Sequence, residues 1–220
     1  MFYEVLAVLL SYQSGGVRNG ADVLIKSAFI AVAGPYGPAL FGATVLAVSV
    51  WLIRKDMRAH GRKLERRVFG LMLLESVVLA LLFGTVVGAL TAQLLSPFAI
   101  IQAGSIESLG WWTKLMISLG AGIYEELLFR VILVSAIAVA AKRLLGLRPL
   151  PAGVVATVIG AFIFSAFHYI GPYGDPLELG SFTYRMIGGL VFSAMYLLRG
   201  FGVTAWTHAL YDVFLLSATA

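Results

Sequence analysis

Apolar residues run along this chain in long blocks rather than in alternation. About six blocks are long enough to cross a bilayer at roughly 20 residues per helix: about 35–53, 68–95, 112–141, 152–170, 182–199 and 201–218. The pattern predicts an all-α fold, a polytopic transmembrane helical bundle of about six spans. The 68–95 and 112–141 blocks exceed one bilayer thickness, so they are expected to tilt or to extend past it. Residues 2–12 and 21–33 are apolar but too short to span alone, and read as short interfacial or re-entrant helices. The run Gly34-Pro35-Tyr36-Gly37-Pro38 breaks any helix between 21–33 and the first span. The chain shows no internal repeat and no soluble domain. It divides into 1–109, a membrane region with interfacial segments and two spans, and 110–220, a core of four membrane helices.

Composition supports the bilayer as solvent. The chain is 60% hydrophobic and 12% charged, with mean hydropathy +0.93, whereas a soluble domain is roughly 25% charged. The net charge of +5 changes the picture only through its location. Seven of the sixteen Lys and Arg residues lie between Arg54 and Arg67, between two apolar blocks. That placement is the signature of a cytoplasmic loop under the positive-inside rule, and argues against nucleic acid as a partner. The rule gives one consistent topology. The 54–67 loop, the Lys142, Arg143 and Arg148 loop and Arg199 lie inside, while the 96–111 loop with Glu107 and the 171–181 loop with Asp175 and Glu178 lie outside. Both termini then lie outside. Residues 2–10 are not a signal peptide, because Glu4 stands where a basic region should be. The absence of cysteine excludes disulfides and thiolate metal sites. Gly84 and Gly88 form a GxxxG pattern that allows close helix approach, including in a homodimer.

Against this background the ionisable residues inside the blocks stand out: Glu75, Glu125, Glu126, Arg130, His168, His208 and Asp212, with Arg185 close to an interface. A charge near a membrane helix centre costs at least about 2.5–3.5 kcal/mol on insertion, so each needs a reason. Glu75 belongs to no motif; about two turns into its span, it is expected to reach back toward Arg66 or Arg67. In an α-helix Glu126 and Arg130 share a face and can pair, while Glu125 is turned by about 100° and is left free for chemistry. Phe164 lies one turn below His168 and can shield and fix the imidazole. His208 and Asp212 also share a face, so the carboxylate can orient the ring or provide a second polar group for a reacting oxygen. One free glutamate, two histidines and an aspartate on three helices suit peptide hydrolysis. The glutamate acts as general base toward a water, one imidazole holds that water, and the other His–Asp group stabilises the oxyanion.

These residues resemble the signature of the CPBP family of intramembrane proteases, also called the CAAX protease and bacteriocin-processing, or Abi, family. That family shows EExxxR, then FxxxH, then HxxxN/D. The chain has Glu125-Glu126-(x3)-Arg130, Phe164-(x3)-His168 and His208-(x3)-Asp212 in the same order. Arg185 with Gly188 and Gly189 also looks like the family's stretch before its last motif, and the likeness covers about 110–220. The resemblance implies an intramembrane endopeptidase acting on a membrane-bound peptide or protein. Glu125 would be the catalytic glutamate and His168 its partner at the water. His208 and Asp212 would form the oxyanion side, with Glu126, Arg130 and Phe164 in support. Prenyl-protein members usually carry Asn where this chain has Asp212. An ionised Asp repels an oxyanion, so Asp212 must carry a proton, act through His208 or help hold a metal.

Family members were long described as metalloproteases, and a zinc-dependent version would draw on Glu125, His168 and His208. There is no HExxH, and a metal-free glutamate mechanism with no cofactor is favoured. Two readings outside proteolysis remain: a membrane scaffold or immunity factor that keeps the motif for folding, and a proton-coupled transporter. The short chain without repeat halves stands against the transporter. The compact chain reads as bacterial, an integral protein of the inner membrane. On the positive-inside topology His168 lies near the outer end of its span, with Glu125 and His208 deeper.

Overall fold

A computed structural model describes residues 2–12, 16–60, 65–95, 110–171 and 174–218. Among these every regular element is helical. The helices are α1 (Phe2–Leu9), α2 (Gly20–Ala33), α3 (Gly37–His60), α4 (Arg66–Leu95), α5 (Trp111–Gly120), a π-helix (Ala121–Val134), α6 (Ser135–Leu144), α7 (Pro149–Phe167) and α8 (Leu179–Ala218). The expected loop residue Glu107 lies outside the described residues, as do Arg62 and Lys63 of the basic loop.

By length and composition, four stretches of the described residues can cross a membrane: Gly20–Ala59, Arg66–Leu95, Pro149–Phe167 and Leu179–Ser217. The protein is a helical membrane bundle. Its helices are built inside out relative to a soluble protein. On α4 the large apolar residues Leu71, Leu74, Val78, Leu81, Leu82 and Val86 are exposed, while Ser76, Ala80, Phe83, Val87 and Thr91 are buried. Lipid offers apolar side chains no reason to hide, so the interior goes to residues that pack closely or hydrogen-bond. The buried hydroxyls of Ser76 and Thr91 each donate one turn back, to the Met72 and Val87 carbonyls at 2.9 and 2.8 Å.

Two of the four stretches are not straight. The first turns at Gly34 (φ 56°) and a short 3-10 turn, Gly34–Tyr36, where the proline-glycine run predicts a break. Phe29 of α2 and Phe41 of α3 then meet edge to face at 5.3 Å, although twelve residues of straight helix would separate them by about 18 Å. The second reverses at Gly200 (φ 80°, ψ 177°), a conformation glycine adopts readily and other residues do not. Phe192 stacks on His208 with ring centroids 4.3 Å apart, and the Tyr184 and Tyr211 hydroxyls lie 2.5 Å apart. Residues 192 and 208 would be about 24 Å apart along one straight helix. α8 is therefore a hairpin of two helical arms, 179–199 and 201–218, matching the two blocks of the sequence pattern.

α4 lies along both arms. Phe83 stacks on Phe192 at 4.2 Å and meets Tyr211 at 4.7 Å, and a Cβ on Gly84 would come within 3.1 Å of the Tyr211 ring. The first glycine of the GxxxG pattern thus serves contact within the chain. Near the Gly200 reversal Glu75 accepts two hydrogen bonds from Arg199, from Nε and from an Nη, both at 2.6 Å. The partner of Glu75 is therefore Arg199 rather than Arg66 or Arg67. The reversal brings a cation 124 residues away to the side of α4, and the pair neutralises both charges at that end of the bundle.

Candidate active site

The helical run from Trp111 to Leu144 carries the first motif, and its central part is a π-helix rather than the α-helix the sequence pattern suggests. A helix closed by i→i+5 bonds turns less per residue than an α-helix, and such segments concentrate at functional sites. The angle between Glu125 and Glu126 is therefore smaller than the α-helical expectation. Tyr124, Glu125, Glu126, Phe129 and Arg130 are all buried. Close approach of the neighbouring helices makes this burial possible. A Cβ on Gly122 would collide with the Ala205 carbonyl oxygen and lie 2.7 Å from the Ala209 Cβ, so the π-helix sits directly against the second arm of α8. On the other side, a Cβ on Gly189 would press on Phe164 at 3.1 Å and on Ala161 at 3.2 Å, where α7 meets the first arm.

Glu126 and Arg130 pair as expected, with Nε 3.2 Å from Oε2 and both side chains almost wholly buried. The Arg130 guanidinium lies 4.3 Å above the Phe164 ring and 5.4 Å from Phe192, and one Nη donates to the Gly189 carbonyl at 3.4 Å. Two aromatic faces and a carboxylate thus compensate its burial. The other oxygen of Glu126 accepts from His208 Nδ1 at 2.7 Å. Of the two roles open to Asp212, the hydrogen bond that orients the ring is made by Glu126 instead: Asp212 Oδ2 stands 3.8 Å from His208 Nε2, beyond hydrogen-bond distance. The smaller turn angle of the π-helix, together with the glycine contact at Gly122, puts Glu126 within reach of the α8 arm.

His168 caps the C-terminus of α7. Its Nδ1 lies 2.8 Å from the Phe164 carbonyl oxygen, which can only accept. Nδ1 therefore carries the proton, and in the neutral ring Nε2 presents a lone pair. That lone pair faces Glu125, whose Oε2 lies 3.8 Å away, is buried and has no hydrogen-bond partner among the described residues. Phe164 also sits edge-on to the imidazole at 4.9 Å, as its spacing predicts. Behind His168, the backbone N–H of Asp175 donates to the His168 carbonyl at 3.0 Å, and the Asp175 carboxylate pairs with Arg185, whose guanidinium lies 5.1 Å from the Tyr169 ring. Arg185 thus holds the 174–178 loop against the end of α7.

Glu125 is not free of partners. Its Oε1 accepts a 2.7 Å hydrogen bond from Asn19 Nδ2, from a part of the chain that carries no motif. Near it lies a second cluster of charges. Asp22 accepts from the Tyr3 hydroxyl at 2.8 Å and pairs with Arg18 at 3.1 Å and Lys26 at 2.6 Å. Lys26 also donates to both oxygens of Glu4 at 2.8 and 2.9 Å, and the Tyr124 hydroxyl donates to Glu4. These residues lie in or beside apolar runs too short to stand out as membrane spans. Arg18, Asp22 and Lys26 at successive i, i+4 spacings were the available signal.

A family model for Type II CAAX prenyl endopeptidase Rce1-like proteins matches residues 107–214. Over these residues the chain belongs to the CPBP, or CAAX protease, family. No curated protein and no solved structure matches it. The CAAX protease match spans all three motifs and every side chain named in them. Among the described residues no three His, Asp or Glu side chains group to hold a metal ion, the set Glu125, His168 and His208 included.

Proposed function

We propose that the protein is an intramembrane endopeptidase that hydrolyses a peptide bond in a membrane-associated peptide or protein, with Glu125 as general base. The observation that carries this reading is the facing pair of acceptors, Glu125 Oε2 and His168 Nε2, 3.8 Å apart. One water placed beside both can donate a proton to each, which turns its oxygen lone pairs outward toward a scissile carbonyl carbon. As the oxygen attacks, Glu125 takes the water proton, the C–O bond forms and the carbonyl oxygen becomes an oxyanion. His208, held through Nδ1 by Glu126, stabilises that oxyanion through a protonated Nε2, with a protonated Asp212 as a second donor. When the tetrahedral species collapses, the C–N bond breaks and Glu125 returns its proton to the leaving amine. The products are a new carboxyl terminus and a new amino terminus.

The reading places the enzyme in a bacterial inner membrane, with its substrate bound to the same bilayer. Comparison of the membrane proteomes of wild type and Glu125→Ala tests it. At least one terminus should be present in the wild type and missing from the variant. A full set of termini in Glu125→Ala would rule out the glutamate mechanism. A wild-type phenotype in Glu125→Gln, which keeps shape and polarity, would favour a scaffold.

A further inference from the structure

The contact between Asn19 and Glu125 joins the motif-bearing helices to a segment that the family match does not reach. Asn19 is the N-cap of α2, with extended backbone (φ −60°, ψ 135°). Its Oδ1 accepts from the backbone N–H of Ala21 at 3.0 Å and of Asp22 at 3.4 Å. This fixes the side-chain amide: the oxygen faces the helix, so the NH2 group faces away from it, toward Glu125. Asn19 is 5% exposed, and the bond to Glu125 is 2.7 Å long.

The surroundings are shaped for this contact. A Cβ on Gly120 would come within 2.8 Å of the Asn19 Cβ and 2.7 Å of the Tyr3 ring, so glycine at the end of α5 is what lets the α2 terminus approach. A Cβ on Gly20 would meet the Phe167 ring at 3.1 Å, one residue before His168. The start of α2 therefore touches the helix of Glu125 and the end of the helix that carries His168. The cluster of Glu4, Arg18, Asp22 and Lys26, reached by the Tyr3 and Tyr124 hydroxyls, holds α1 and α2 in place, and Tyr124 is the residue directly before Glu125.

We infer that Asn19 is a positioning residue for Glu125, and that α1 and α2 are a working part of the active site rather than a membrane accessory. The inference rests on the proposed role of Glu125. By occupying Oε1, Asn19 fixes the carboxylate rotamer so that Oε2 faces His168. It also donates to the ionised form, the form a general base must hold before water attacks.

The test separates this role from the cap. Asn19→Asp and Asn19→Ser both keep an oxygen that can cap α2, but neither donates to Glu125 as the amide does. The purified protein in detergent is treated with dicyclohexylcarbodiimide, which modifies protonated carboxyls, and the adduct at Glu125 is mapped by mass spectrometry across pH. The charged and titratable groups acting on Glu125, namely Glu126 and Arg130 on its own run, His168 at the end of α7 and His208 and Asp212 on α8, are the same in wild type and variants. Any change therefore reports Asn19. The pH of half-maximal labelling should rise by about one to two units in Asn19→Asp, which also adds a like charge, and by less in Asn19→Ser, with melting temperatures near wild type. An unchanged labelling profile in a folded Asn19→Ser protein would overturn the inference even if Asn19→Asp does not fold. Failure of the protease reading is distinguishable: Glu125→Ala would then process the same termini as wild type, whatever the labelling shows.

Discussion

Two clusters of charge, one partly exposed and one buried, lie side by side in this protein, and they are resolved differently. In the cluster of α1 and α2, two acids meet two bases: Glu4 and Asp22 each contact both Arg18 and Lys26, and two tyrosine hydroxyls reach them as well. In the cluster around the π-helix, Glu125 and Glu126 share one arginine, which is engaged by Glu126, and Asp212 stands near His208. Among the described residues one oxygen of Glu125 is left without a hydrogen bond, facing a histidine lone pair. A balanced cluster has little reason to exchange protons, so it serves as a fastener. A cluster with surplus acceptors is where proton transfer can occur. Substitutions in the first should therefore act on stability, and those in the second on turnover.

The largest effect belongs to Glu125→Gln. Losing a general base typically costs about 10²–10⁴-fold in rate. Cleavage of the substrate found by proteome comparison should fall by that factor, while the unfolding transition in detergent stays close to wild type. A large loss of stability instead would move Glu125 into the fastening class and break the comparison.

Arg130→Met comes next and marks the boundary between the classes. It removes the partner of a wholly buried carboxylate, and breaking such a pair typically costs about 3–5 kcal/mol. Denaturant unfolding should show that loss. Activity should vanish with it, because Glu126 is also the group that orients His208. Lys26→Met should cost less, about 1.5–3 kcal/mol for hydrogen bonds to charged groups, since Arg18 still faces both acids. The turnover of those molecules that remain folded should be close to wild type, measured as rate per mole of folded protein.

These contrasts also show what could be read before the structure. The pairs within one helix, Glu126 with Arg130 and Phe164 with His168, were legible because helical spacing brings them together whatever the tertiary fold. The break at Gly34 and the division of the last apolar stretch at Gly200 were legible because glycine and proline act locally. Helical spacing does not reveal the hydrogen-bonded partners that are distant in sequence. Asn19 and Glu125 are 106 positions apart, Glu75 and Arg199 are 124, and Glu126 and His208 are 82. No periodicity marks such a pair. Where an ionisable residue has a candidate nearby in sequence, as Glu75 has Arg66 and His208 has Asp212, the bundle uses a farther one. The His168 imidazole is placed by a helix end, through Nδ1 and the Phe164 carbonyl.

The smallest effect separates the clusters by pH. Burial of Glu4 disfavours its anion, but hydrogen bonds from Lys26 and Tyr124 and the charges of Lys26 and Arg18 outweigh it and hold the carboxyl below the ordinary range. A group whose folded value is depressed contributes stability above its unfolded value and loses it as pH falls through the folded one. The stability conferred by Glu4 should thus be fully present above the ordinary glutamate value of about 4.3 and decline only below it. Glu4→Gln should remove this acid-limb dependence and leave stability at neutral pH modestly lower, because Glu4 is partly exposed and solvent screens its pairs. Melting curves of wild type and Glu4→Gln across the acid range check this. Two curves that stay parallel throughout would show that Glu4 does not fasten α1. The fastening would then fall to Asp22, which both bases and Tyr3 also reach.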